Sequence, residues 1–157
     1  MVNSQAWGPI LWRILHTFAE KLGRHKIPLL ATDEKRAFVN LLKSVEMVMP
    51  CMKCRQHYRA WRQKRPIERF MGSYDIREDA REWLWALHEE VNTSKAITGP
   101  LLSEIPGLYG TRKIQELNDD LQLLVENLHE AALYRHVETE AIHTFRKAFA
   151  MLRAIVG

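Results

Sequence analysis

The sequence predicts an all-α protein of 157 residues. Apolar residues recur every three or four positions along almost the whole chain, and this spacing places them on one face of a helix. No segment alternates apolar and polar residues with the period of two that a half-buried strand shows. Proline and glycine interrupt the periodic segments at a few points, where helices begin or end. We therefore expect helices joined by short connections.

The first helix is predicted over residues 8–22. Pro9 suits a first helical turn, because its missing N–H would be unpaired there anyway, and Gly23 suits a helix stop. The apolar face of this helix consists of Trp7, Leu11, Ile14, Leu15, Phe18 and Leu22.

The second helix is predicted over residues 33–48, with Thr32 as its N-cap and acidic residues in its first turn. It ends before Pro50, because the residue that precedes a proline avoids helical backbone angles. A third helix is predicted to begin at the next segment, CMKCRQHYRAWRQK, which contains no helix breaker before Pro66.

The fourth helix is predicted over residues 76–93, where Asp75 and Glu78 have the spacing of a capping box. The following GPLLSEIPGLYG, residues 99–110, is rich in glycine and proline and predicts an irregular connection with one short helical turn. Residues 111–157 contain no proline, and their only glycine is the last residue. They predict one long helix or two consecutive helices.

Composition predicts a soluble protein with one core. Hydrophobic residues make up 46% and charged residues 27% of the chain, and no run approaches the length that spans a bilayer. The first residues lack the features of a secretory signal, so we expect an intracellular protein. The formal charge is +4, and basic residues concentrate in residues 53–69. We favour a solvated helix face there over a surface for nucleic acid or an anionic cofactor.

Cys51 and Cys54 are the only cysteines, and their CxxC spacing has three interpretations. A redox pair is favoured because a helix N-terminus and nearby cations, namely Lys53, Arg55 and His57, stabilise a thiolate. Zinc is the second interpretation, with His57 as a third ligand and a fourth from another helix, as in a zinc-stabilised helical interaction or nucleic-acid-binding module. The third is two thiols without a function.

Two further helix faces carry aromatic and hydrogen-bonding residues. Gly8, Trp12 and His16 are four positions apart in the first helix, and Trp85, His88 and Asn92 share a face of the fourth helix. Planar rings and hydrogen-bond donors that converge on a cysteine pair suit a large, flat aromatic cofactor whose reactive edge faces sulfur.

Three motifs in this order resemble the Erv/ALR family of FAD-linked sulfhydryl oxidases. They are WGPILWRILHT, PCMKC and HEEVN, which are similar to the family patterns W-G-x3-4-W-x3-H-T, P-C-x-x-C and H-N-x-V-N. The resemblance covers residues 7 to about 95. The short, cysteine-poor chain is most similar to the versions that large DNA viruses encode.

The resemblance implies a four-helix bundle that binds FAD, usually as a homodimer, and uses O2 as the electron acceptor. An additional short helix and a C-terminal helical extension complete the expected fold, with residues 1–110 as the FAD-binding unit and residues 111–157 as the extension. For the extension we favour packing on the same domain over a dimer or partner face. The reaction would oxidise protein thiols to disulfides and produce hydrogen peroxide.

The resemblance also implies a role for each matching residue. Cys51 would be the interchange thiol and Cys54 would lie against the flavin ring, so both would be catalytic. The residues expected to contact FAD are Gly8, Trp12 and His16 on the flavin, ribose and phosphate side, His88, Val91 and Asn92 on the adenine side, and Lys95 and Tyr109 further along the chain.

Two departures from the family pattern bear on function. Glu89 occupies the position where the family has asparagine, and a negative charge there weakens the expected binding of a pyrophosphate. The chain has no second cysteine pair to act as a shuttle, so substrate must reach Cys51 directly, and a thioredoxin-like carrier is the expected partner. Because cytosolic thiols are kept reduced, we expect a setting such as a virus assembly site in the host cytoplasm or the virion.

Overall fold

The computed structural model describes residues 4–156, which contain no β-strand, and this confirms the predicted all-α fold. Short 3₁₀ helices occupy Ile67–Gly72 and Leu102–Glu104. The α-helices are α1 Ser4–Lys21, α2 Pro28–Val48, α3 Met52–Lys64, α4 Ile76–Ser94, α5 Ile105–Tyr109, α6 Ile114–Leu133 and α7 Thr139–Val156.

Two predicted helix starts are wrong. The first helix begins at Ser4, so Pro9 lies inside α1 and not in its first turn. The second begins at Pro28, five residues before the predicted start, and Thr32 is therefore inside α2. Pro28 is in the first turn of α2, after Ile27 in an extended conformation, because the fixed φ angle of proline suits this position.

The remaining predicted elements agree with the structure. Asp75 is the N-cap of α4 and accepts a hydrogen bond from the Glu78 N–H. The connection over residues 99–110 contains the second 3₁₀ helix and the five-residue α5. The C-terminal segment forms two helices, because the chain turns after Tyr134 through Arg135, which has a φ angle of 60°. The 3₁₀ helix over Ile67–Gly72 was not expected.

One hydrophobic core includes residues from the N-terminal helices and from α6 and α7. The α1 helix packs against α4 and α6, whereas α2 packs against α3, the first 3₁₀ helix and α7. Phe18 of α1 and Phe149 of α7 meet edge to face, with ring centroids 5.1 Å apart. The C-terminal helices thus cover faces of α1 and α2 within the same core.

Buried ion pairs connect α1 to its neighbours. The Arg81 guanidinium of α4 donates two hydrogen bonds of 2.8 Å to the buried Glu20 carboxylate. On the α6 side, the buried Asp120 carboxylate accepts hydrogen bonds from Arg13 and Arg112. None of the helices that the structure describes has the length and apolar character needed to cross a bilayer.

Candidate active site

The two cysteines lie at the N-terminus of α3. Cys51 is the N-cap residue, and its sulfur accepts a hydrogen bond of 3.2 Å from the Cys54 N–H. This places both side chains in the first turn of the helix, half-buried and as free thiols. The arrangement follows from the sequence, because Pro50 keeps α2 from continuing into the motif.

The expectation that flanking cations favour a thiolate is wrong for Cys54. Burial, and to a smaller extent the hydrogen bond to Cys51, raise the pKa of the Cys54 thiol to about 11, although the positive charge of Lys95 acts in the opposite direction. The Arg55 guanidinium instead donates to backbone carbonyls of Met47, Met49 and the α6–α7 turn. Cys54 therefore keeps its proton at neutral pH when both cysteines are reduced.

The cysteines open onto a cavity of about 310 Å³ between α1, the end of α2, α3 and α4. This volume is within the range of small-molecule sites in proteins. Its walls are mainly apolar and aromatic. The cavity is lined by Trp7, Gly8, Leu11, Trp12, Leu15, Val45, Met49, Cys51, Lys53, Cys54, His57, Tyr58, Leu87, Val91, Ser94 and Lys95.

A group of stacked rings continues from Trp12 away from the cavity. The Trp12 indole and the His88 imidazole are parallel, with ring centroids 3.9 Å apart and an angle of 6° between their planes. His88 Nδ1 is 3.3 Å from His16 Nε2, which is hydrogen-bond distance. The His16 ring in turn stacks on Tyr109, with ring centroids 4.7 Å apart. These contacts join α1, α4 and α5 beside the cavity.

Both imidazoles of this ring group are neutral at physiological pH. Burial, and to a smaller extent the nearby His88, lower the pKa of His16 to about 3. Burial also lowers the pKa of His88 to about 4, with a smaller contribution from the Lys95 charge. His16 is completely buried, and its Nδ1 atom has no hydrogen-bond partner within residues 4–156. A neutral imidazole with an unpaired nitrogen can donate to or accept from a ligand.

Asn92 and Glu89 lie near the C-terminal end of α4. Asn92 is buried, and a Cβ atom added to Gly99 would come within 2.5 Å of its side-chain nitrogen. A side chain at position 99 would therefore displace the Asn92 amide. A Glu89 carboxylate oxygen lies 3.6 Å from the same added atom, so a negative charge is adjacent to the Asn92 amide.

The structure therefore divides the predicted site residues between two neighbouring regions. Gly8, Trp12, Cys51, Cys54, Val91 and Lys95 line the cavity. His16, His88 and Tyr109 form the ring group that Trp12 shares, and Asn92 is buried near the end of α4, close to Gly99. The roles that the resemblance implies for these residues remain predictions.

The cavity residues fit a planar aromatic cofactor that carries negative charge. A Cβ atom added to Gly8 would meet no other atom within 4 Å, so glycine keeps space free at the cavity wall. The buried Trp7 Nε1 has no hydrogen-bond acceptor among the described residues. Lys95 lines the cavity and supplies positive charge for an anionic arm, and Lys53 is an exposed residue of the cavity wall.

The zinc and nucleic-acid interpretations receive no support from the described residues. No group of three or more His, Cys, Asp or Glu side chains within residues 4–156 is arranged to bind a metal ion. His57, the expected third ligand, has its Nε2 atom 3.4 Å from a Glu90 oxygen. In the basic segment, Arg59 and Arg62 form ion pairs with Glu46, which reduces the positive potential there.

Two residues beside the cysteines were not predicted as site residues. Trp7 was assigned only to the apolar face, although its place as the first residue of the first motif was a signal in the sequence; in the structure its buried Nε1 atom has no acceptor within residues 4–156. Arg55 was interpreted only as a cation next to Cys54. Its acceptor at His136 is 81 positions away, and no local pattern indicates such a contact.

Comparison with known proteins identifies a family for the part of the chain that contains the cysteines and most of the predicted site residues. A model of the Erv1 / Alr family matches residues 9–99, which is more than half of the chain. The matched range includes both cysteines and all the predicted site residues except Gly8 and Tyr109. No curated protein and no solved structure shows significant similarity to the chain.

Proposed function

The chain belongs to the Erv1 / Alr family, whose members are known as FAD-linked sulfhydryl oxidases, and on this premise we propose that it is an FAD-dependent thiol oxidase that forms disulfides in protein substrates. The proposal rests on one structural observation. Cys51 and Cys54 line the same cavity as Gly8 and Trp12, although these pairs come from separate motifs about 40 residues apart.

FAD would be held by side chains from both regions of the site. Its flat ring system would lie in the cavity against Trp12 and Cys54, where Gly8 leaves space. The buried Trp7 indole N–H, which has no acceptor within residues 4–156, would donate to a ring oxygen or nitrogen. Lys95 would neutralise part of the phosphate charge, and His16 would contact the ribose and phosphate arm. His88, Val91 and Asn92 would contact the adenine half, next to Tyr109, which stacks on His16.

The cysteine pair would perform thiol–disulfide exchange. A substrate thiolate attacks the Cys51 sulfur of the Cys51–Cys54 disulfide, the S–S bond breaks, and Cys54 leaves as a thiolate that takes up a proton. A second substrate thiolate attacks the substrate sulfur of the mixed disulfide and releases Cys51. Two electrons and two protons have then passed from the substrate thiols to the cysteine pair. Bound FAD supplies the final redox chemistry, in which this electron pair reaches O2 and gives hydrogen peroxide.

The two cysteines differ in ways that suit these roles. Burial and the hydrogen bond to Cys51 raise the pKa of Cys54, so a Cys54 thiolate needs compensation when it leaves. Lys95 lines the same cavity and provides that compensation, because its positive charge lowers the pKa of Cys54. We assign Cys51, at the N-cap position, as the residue that substrate thiols attack.

The partners follow from the single cysteine pair. Without a second pair to relay electrons, protein thiols or a thioredoxin-like carrier would react with Cys51 directly. A homodimer remains part of the proposal, but α6 and α7 cover faces of α1 and α2, so a second copy would pack on a different surface. Size measurement in solution tests the homodimer independently of activity.

The function is tested by flavin content and oxygen consumption. We expect the purified protein to be yellow with stoichiometric FAD and to consume O2 with dithiothreitol as substrate. Cys51→Ser and Cys54→Ser should each abolish oxygen consumption and retain FAD, whereas Ala60→Ser, an exposed substitution on the same helix, should change neither. Full turnover in both cysteine variants, or colourless protein with bound zinc, would contradict the proposal.

A further inference from the structure

Four exposed apolar side chains lie on three segments of the chain that Arg55, the residue after Cys54, connects. Met47 is 44% exposed, Met52 is 64% exposed, Leu133 is 83% exposed and Tyr134 is 59% exposed. We call these four residues the apolar rim. They come from the end of α2, the start of α3 and the end of α6, so the rim combines the cysteine motif with the C-terminal extension. Clustered apolar side chains on a surface mark sites of protein contact.

Arg55 holds the parts of the apolar rim together. Its Nε atom donates to the Met49 carbonyl at 2.7 Å, and its Nη2 atom donates to the Met47 carbonyl at 3.2 Å and to the His136 carbonyl at 2.8 Å. One guanidinium therefore joins the end of α2, which leads into Cys51, to the α6–α7 turn. Leu133 and Tyr134 immediately precede that turn, so this contact brings their segment to the end of α2 that leads into Cys51.

The α6–α7 turn is a fixed structure and not a frayed helix end. Arg135 has a left-handed backbone with a φ angle of 60°, and the His136 N–H donates to the Ala131 carbonyl at 3.0 Å. These are the features of a helix C-cap. Val137, the next residue, is buried in the core. Leu133 and Tyr134 are thus held in solvent by a turn that is anchored on both sides.

Unpaired positive charge lies next to the apolar rim. Lys53 and Arg135 are exposed, and neither forms an ion pair with any residue that the structure describes. By contrast, Arg59 of the same helix as Lys53 is paired with Glu46. This part of the surface therefore combines apolar side chains with cations that have no ion-pair partner within residues 4–156, and it is complementary to an apolar segment that carries acidic residues.

We propose that the apolar rim, together with Lys53 and Arg135, is the docking surface for the protein substrate. The occupant is a cysteine-containing segment of another protein that has apolar residues next to its cysteine and acidic residues further away. Leu133 and Tyr134 contact its apolar side chains, and Lys53 and Arg135 pair with its carboxylates while its thiol meets Cys51. This inference rests on the proposed thiol oxidase function and gives the C-terminal extension a part in substrate selection.

The test compares three substrates by oxygen consumption of the FAD-loaded protein. Two are synthetic peptides with a Cys-X-X-Cys sequence and adjacent leucines, one carrying glutamates and the other carrying lysines at the same positions. The third is dithiothreitol, which is too small to reach the rim. We expect kcat/KM for the glutamate peptide to exceed that for the lysine peptide about tenfold, because two cations contribute to docking.

Matched variants separate the apolar and the electrostatic contributions. Leu133→Ser combined with Tyr134→Ser should lower kcat/KM for both peptides about fivefold, whereas Leu123→Ser, an exposed residue of the same helix, should not. Arg135→Glu should remove the preference for the glutamate peptide, whereas Arg146→Glu, which changes the net charge equally on α7, should retain it. All four variants should oxidise dithiothreitol at the wild-type rate.

The outcomes distinguish the two proposals. If the wild-type protein oxidises dithiothreitol but shows no preference between the peptides, or if the rim variants behave like their controls, the docking surface is wrong and the oxidase function stands. If the FAD-loaded protein oxidises neither dithiothreitol nor peptide, the oxidase function itself is wrong, and the docking surface that rests on it is wrong too.

Discussion

The Trp12 indole and the His88 imidazole lie face to face, with ring centroids 3.9 Å apart and planes that differ by 6°. This contact joins α1 to α4 at the edge of the cysteine cavity. Full stacking requires that the imidazole give up water on one face, and the same desolvation keeps it neutral. The packing that builds the proposed cofactor site therefore also sets the protonation of its histidines.

Stability should decrease in mild acid because of these histidines. The pKa of His16 is about 3 in the folded chain, whereas an exposed imidazole has a pKa near 6.5. Below about pH 6.5 the unfolded chain takes up a proton that the folded chain does not, so the free energy of unfolding falls as the pH falls. Between pH 7 and pH 4 we expect His16 alone to account for about 3 kcal/mol. Urea unfolding of the FAD-free protein at several pH values measures this loss.

The control for this prediction compares how steeply the free energy of unfolding changes with pH in the wild-type protein and in two variants. His88→Phe retains a flat ring against Trp12 but removes one titrating group, so stability should depend less steeply on pH than in the wild-type protein. His129→Gln replaces an exposed histidine and should leave the slope unchanged. The same pH dependence of stability in all three proteins would contradict the conclusion that the buried histidines cause the loss of stability in acid.

Compared with alanine, glycine at position 8 should lower the stability of the FAD-free protein and favour the binding of FAD. Glycine in a helix costs about 0.5–1 kcal/mol relative to alanine, and an added methyl group at Gly8 would meet no other atom within 4 Å. Gly8→Ala should therefore raise the stability of the FAD-free protein by up to that amount. The same methyl group would enter the cavity, so FAD retention after gel filtration, measured by absorbance, should decrease.

Gly107→Ala is the matched control for this substitution. Gly107 is in α5, and a methyl group there also meets no other atom within 4 Å, but the residue does not line the cavity. It should not alter FAD retention. Undiminished FAD binding in Gly8→Ala would show that the flavin does not approach this part of α1.

The pair formed by Arg81 and Glu20 should be important for stability. Glu20 is buried, and both its oxygens accept hydrogen bonds of 2.8 Å from Arg81. Arg81→Met would leave a buried carboxylate without a partner, which costs about 3 kcal/mol. Thermal and urea unfolding would measure the loss. Arg36→Met breaks the exposed pair with Asp33 and should cost less than about 0.5 kcal/mol.

Ala96 is a position where glycine should stabilise the protein. Its φ angle is 54°, the left-handed conformation that costs an L-residue about 1–2 kcal/mol, and it follows the C-cap of α4. Ala96→Gly removes this cost but adds freedom to the unfolded chain, so we expect a net gain of about 0.5–1 kcal/mol in urea unfolding. Ala60→Gly, inside α3, should instead destabilise the protein by about 1 kcal/mol. Destabilisation by Ala96→Gly would refute the assigned backbone conformation.

The sequence by itself determined the helices and the position of the cysteines within them. Apolar periodicity is a local property, so it identified every long helix, and Pro50 followed by CxxC identified the start of α3. Helix starts were less certain because they depend on the cap. For α2 the sequence offers two acceptable starts, Thr32 as an N-cap and Pro28 in a first turn, and the helix begins at Pro28.

The tertiary structure decided which of these residues meet. The contact of Arg55 with His136 and the packing of α6 and α7 on α1 and α2 depend on how distant helices align, which no local spacing encodes. The pKa of Cys54 is a further example, because the sequence shows the cations beside it but not its burial, and burial has the larger effect. Local propensities are properties of the chain, whereas desolvation and long-range contacts arise only when the helices pack together.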